Sequence, residues 1–136
     1  MAIPSIGGGR QIGDGNVNEL SLGIQSTPAT ATSTATLTVA QLLTGLILGS
    51  PGSSAATYTL PTVALLEAAL GNAKVDSSFD FSVINVDGSG SGVITLAVGT
   101  GWTIVGLATV AATAGTAQMF RARKTGTGTW TLYRIG

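Results

Sequence analysis

The chain has 136 residues, a mass of 13.5 kDa, a formal net charge of zero and neither cysteine nor histidine. A chain of this size suits one domain that buries roughly two thirds of its unfolded surface, so its core needs no disulfide or metal staple. Lacking His and Cys, it lacks the commonest general bases, nucleophiles and metal ligands, and its balanced charge is unlike the basic excess of a nucleic-acid-binding domain.

Charged residues make up 9% of the chain, against about 25% in an ordinary soluble domain. None occurs between Glu19 and Glu67, or between Asp87 and Arg121. Charge and Lys-rich edges normally keep β proteins monomeric. A surface that omits them is expected to be shared with copies of itself or with a partner, and a homotrimer is the assembly we expect.

Residues 1–18, "MAIPSIGGGRQIGDGNVN", are Gly-rich and predict an extended arm with no core of its own. They show neither the basic start nor the apolar run of a signal peptide. A free tail would normally be polar, yet this one carries spaced isoleucines. The arm is therefore expected to bind a neighbouring subunit, with Ile3 and Ile6 in apolar pockets, Pro4 stiffening the start and Arg10 meeting a carboxylate or carbonyl.

Residues 19–136 are read as the folded domain. "ELSLGI" places Leu20, Leu22 and Ile24 on one face at period two, a strand pattern. In "TATSTATLTV", Ala31, Ser33, Ala35, Leu37 and Val39 alternate with threonines, which predicts one two-faced strand. "TVAQLLTG" pairs Thr38 with Gln41 as a capping box, and Gly45 stands where a helix of one or two turns would stop. "LILG" and "AATYTLP" read as short strands around the loop "SPGSS". "TVALLEAALGN" predicts a second helix capped by Thr62, with Val63, Leu66 and Leu70 on one face and Gly71 as the stop. From Ser78 onward "FDFSVINV", "GVITLAVG", "WTIVGLATV", "AQMFRARKT" and "TWTLYRIG" are strands and turns. Short strands at this spacing predict an all-β fold, a single jelly-roll-like β-sandwich with one or two short helices and the arm.

Few residues suggest chemistry. Asp76 and Asp80 flank "SSF" at a loop-to-strand junction, where aspartate more often shapes a turn than acts as acid or base. "DGSGSG" begins like a calcium loop, but Val98 stands where the bidentate glutamate is required, so a hairpin loop is expected. "GGGRQIGDG" follows no strand, and Ile12 replaces the third glycine of the dinucleotide fingerprint. The uncharged stretch 88–120 contains turn-like and Thr-rich segments rather than the roughly 20 apolar residues of a membrane helix. Accordingly, no enzyme activity, cofactor, metal, small-molecule substrate, nucleic acid or membrane is expected.

Four of the six basic residues, Arg121, Arg123, Lys124 and Arg134, fall in the C-terminal hairpin. In "MFRARKT", Phe120 and Ala122 are expected to face in and the two arginines out. Arg121, Arg123 and Lys124 are expected to keep this edge soluble or to meet acidic groups on a neighbouring subunit. Trp102, Phe120, Trp130 and Tyr133 are expected to anchor a core that otherwise offers small aliphatic side chains.

The order "TLTVAQLLTGLILGSP", "ATYTLPTVALLEAAL", "SSFDFSVIN", "ITLAVGTGWTIVG" and "FRARKTGTGTWTLYRIG" resembles small β-rich virion proteins of tailed bacteriophages. The resemblance covers roughly residues 36–136, and "ATYTLPT", "SFDFSVIN" and the closing hairpin are its most specific parts. Related modules serve as head decoration, or cement, proteins and as C-terminal parts of tail-fibre-like proteins. It implies a structural virion protein assembled in the bacterial cytoplasm, in which a trimer bridges neighbouring major capsid protein subunits. The alternative it implies is a receptor-binding tip or tail-fibre module. It implies no catalytic residues.

Overall fold

The computed structural model describes residues 22–87 and 91–136, together with the backbone of two short strands, β1 (Ser5–Ile6) and β2 (Gly9–Arg10), which pair antiparallel. Ile3 and Pro4, and the side chains of Ile6 and Arg10, on which the expected arm contacts depend, lie outside the described residues.

Both expected helices form where their caps lie. In α1 (Val39–Leu43) the Thr38 hydroxyl accepts from the Gln41 N–H at 3.1 Å, and the Gln41 side chain accepts from the Thr38 N–H at 2.9 Å. This reciprocal box satisfies two donors that a helix start leaves unpaired. In α2 (Val63–Ala69) Thr62 is the cap, and Val63 and Leu66 are buried.

The strands build two sheets. One has six strands in the order β3 (Ala29–Ala31), β5 (Leu46–Gly49), β7 (Ser78–Asn85), β11 (Thr116–Gly126), β12 (Thr129–Arg134) and β9 (Trp102–Val105). The other has four, in the order β10 (Thr109–Val110), β8 (Ile94–Ala97), β6 (Ala56–Thr59) and β4 (Ala35–Thr36). From β3 to β10 the chain alternates strictly between the two sheets. Up to β8 each visit to the opposite sheet returns it in the same direction, so β3, β5 and β7 are parallel neighbours, as are β4, β6 and β8, whereas β10 pairs antiparallel with β8.

The domain is therefore β-rich, with two sheets and two short helices, and both sheets are mixed. A jelly roll is built from antiparallel Greek-key ladders. Five ladders here are parallel, because the chain winds between the layers in coils. The expected single strand over 30–39 is divided by the same winding. β3 belongs to the six-stranded sheet and β4 to the four-stranded one, with a bend at Ser33–Thr34.

One core lies between the layers. The large sheet contributes Ile47, Phe81, Val83, Phe120, Trp130 and Leu132, the small sheet Tyr58, Ile94, Leu96 and Val110, and the helices Leu42, Val63 and Leu66. At Gly49 the sheets come so close that a Cβ would run into Ile94 Cδ1 and the Tyr58 ring. Tyr58 spans the gap, its hydroxyl lying 3.0 Å from the Ala31 carbonyl and 2.8 Å from the Thr32 carbonyl. Burial raises the pKa of this phenol.

Candidate functional site

The C-terminal hairpin lies inside the large sheet, with β7 on one side and β9 on the other. Strand alternation turns Phe120, Ala122, Trp130 and Leu132 inward, where all four are buried. Phe120 stacks on Phe81 with centroids 5.6 Å apart, and Trp130 lies between Phe79 at 5.9 Å and Trp102 at 6.0 Å. The Trp102 indole N–H donates to the Pro61 carbonyl at 2.8 Å. Tyr133, expected beside these anchors, lies on the opposite face, because it is in register with Arg121 and not with the buried positions. Its hydroxyl accepts from Arg123 Nη1 at 3.1 Å.

Antiparallel register places Arg121 directly opposite Asp80 of β7. Arg121 Nε donates to Asp80 Oδ1 at 2.7 Å and Nη2 to Oδ2 at 3.0 Å, a two-pronged pairing. Arg123 grips Asp76 Oδ1 through Nε at 3.0 Å and Nη2 at 2.7 Å. Lys124 Nζ reaches Glu67 Oε1 at 3.2 Å and the Ala73 carbonyl at 3.1 Å. Arg134 Nε donates to Gln118 Oε1 at 3.0 Å. Each basic residue of the hairpin thus has a partner within its own chain. Both arginine–aspartate pairs are well exposed, so they set geometry more than stability.

Asp76 and Asp80 do not form a carboxylate pair, since each is bound to a different arginine. Arg121 holds the Asp80 carboxyl below its ordinary range, chiefly through the hydrogen bonds it donates. A general acid would need the opposite shift. Asp87 accepts from Ser50 Oγ at 3.1 Å, and Gly88–Gly90 of the loop lie outside the described residues. Among the described residues no group of three or more His, Cys, Asp or Glu side chains converges on a cation site, and no helix is long and apolar enough to cross a membrane.

Sequence reading missed Glu67. Its carboxylate, on α2, accepts from the Gly128 N–H of the hairpin turn at 3.1 Å, from Trp130 Nε1 at 3.3 Å and from Lys124. It thereby clips the helix to the hairpin. Its pKa is lowered first by the Gly128 N–H, with Lys124 and Trp130 adding to the effect. A carboxylate whose pKa falls on folding adds stability above its unfolded pKa, and that stability is lost as pH falls through the folded value. The melting temperature is therefore expected to drop as pH falls below about 4.3, the ordinary glutamate value. Glu67→Gln, which removes the titration, should show a shallower fall. An identical pH profile for the variant would mean that Glu67 is not the clip.

Beside the ladder the outer face carries a band of apolar side chains. Register puts Leu46 and Leu48 of β5 beside Ser82 and Ile84 of β7, and Ile84 and Ser82 beside Ala117 and Met119 of β11. Ile135 donates its N–H to the Met119 carbonyl at 3.0 Å, and Val105 lies beside Tyr133. Met119, Ile135 and Val105 are 43%, 43% and 50% exposed. The face thus divides into an apolar band and a ladder of internally neutralised charges. Only the ladder was foreshadowed, by the basic cluster; the band needs the register of four strands to assemble.

The chain matches no known family model, and no curated protein or solved structure is detectably similar to it.

Proposed function

We propose that this chain is a structural virion protein, a cement protein that bridges and stabilises neighbouring major capsid subunits by binding rather than by reaction. The observation that carries the reading is the outer face of the large sheet, where an apolar band lies open beside a charge ladder neutralised within the chain. Contiguous exposed apolar surface marks protein–protein contact. A ladder that already satisfies its charges can be covered without leaving an ion unpaired. On this reading the two packed mixed sheets are a sandwich variant, rigid enough to present a broad face across a seam between subunits. Several linked copies would hold such a seam by multivalency.

Gold-labelled antibody against the chain, applied to purified phage particles, should label heads over their whole surface. Label confined to tail tips would assign the chain to a fibre. Particles that carry no label would overturn the virion reading altogether.

A further inference from the structure

Residues 22–28 lead into β3 without strand partners among the described residues. Leu22 is 81% exposed and Ile24 101% exposed, and a Cβ on Gly23 between them would meet nothing within 4 Å. The alternation that predicts a half-buried strand here is thus unmet by the chain's own fold. Gln25 Nε2 donates to the Thr44 carbonyl at 2.7 Å, tethering the segment at the end of α1. Beyond that tether its two large apolar side chains stand in water, where burial against another apolar surface would stabilise them.

An apolar groove of about 480 Å³ opens beside the four-stranded sheet. Leu37 and Leu60, both buried, form its floor, and Val39, Pro61 and the exposed Leu65 form its walls. No charged residue lines it, and none occurs in residues 20–28. It borders β4, the last strand of the small sheet, whose outer edge carries no further strand among the described residues. Such an edge accepts an added extended segment.

We infer that Leu22 and Ile24 of one copy of this chain seat in the Leu37–Leu60–Leu65 groove of the next. Segment and groove are different surfaces, so the contact is head-to-tail, and a rotation that closes makes it a ring rather than a filament; a closed ring of three copies is the assembly inferred. The inference concerns self-association and holds whether or not the ring sits on a capsid.

The absence of cysteine allows a direct test. Ile24→Cys and Leu65→Cys variants, carrying tags of different size, are mixed at micromolar concentration and mildly oxidised. A covalent heterodimer joined between positions 24 and 65 is expected. The double variant should form linked rings. If the double variant instead links within one chain, the segment belongs to its own groove and the proposal falls. It falls equally if neither mixture nor double variant links. Leu22→Ser with Ile24→Ser, both at exposed positions, should leave the melting temperature of the isolated fold unchanged and reduce the light-scattering mass from that of a ring to that of one chain. A wild-type protein that already scatters as a monomer, or a double serine variant that still scatters as a ring, would overturn it.

Discussion

Replacing Trp130 with alanine is expected to lower the unfolding free energy by about 3–5 kcal/mol, the usual cost of a large-to-small change in a core. Trp130 is 1% exposed and is the largest fully buried side chain. Its ring fills the space between Phe79 and Trp102, and its N–H reaches Glu67. Alanine would leave a cavity walled by two aromatic rings that the sheet cannot close, and would take one donor from the Glu67 clip. In a domain of this length the loss corresponds to a fall in Tm of roughly 10 °C or more. Thermal unfolding followed by circular dichroism measures it directly. An unchanged Tm would place Trp130 outside the core.

Gly101→Ala is the second large effect. Gly101 has φ +97°, and a Cβ there would lie 2.7 Å from Val63 Cβ and 2.8 Å from the Gly128 carbonyl oxygen. The backbone on either side is committed as well. The Thr100 carbonyl accepts from the first N–H of α2 at 3.0 Å, and the Gly101 carbonyl accepts from Trp130 at 3.0 Å. A side chain at positive φ costs about 1–3 kcal/mol, and forcing a methyl into packed surroundings costs about as much again. The expected loss is about 2–5 kcal/mol by chemical denaturation. Gly52→Ala is the internal control, since its φ is +69° but the space around it is open. Equal losses at the two sites would remove the packing part of the argument.

What could be read from the sequence was local. Thr38 with Gln41, and Thr62 ahead of Val63 and Leu66, marked both helices, because a cap acts within one turn of chain. "LILG", "ATYT" and "SFDFSVIN" marked β5, β6 and β7, because alternation is a property of adjacent residues. Sheet membership was not legible. "TATSTAT" alternates cleanly through a bend that takes it from one sheet to the other, and "WTIVGLATV" does the same between β9 and β10. Nothing in a period of two says which layer a face belongs to. The parallel ladders were hidden for the same reason, since their partners lie 18 or more residues apart in "ATA", "LILG" and "SVIN". Tyr133 was assigned to the core by residue type, whereas register sets its face. Glu67, one carboxylate in an apolar helix, gave no sign of its partners, because they sit about 60 positions later.

The place of the C-terminal hairpin has a consequence for biosynthesis. β11 and β12 lie between β7 and β9, so the large sheet cannot close until residues 116–134 have been made. While translation proceeds, β3, β5 and β7 can zip together as they emerge, but the open side of β7 and the whole of β9 must wait. Until that hairpin arrives the long edge of β7 stays bare, and the hairpin completes the sheet like a keystone.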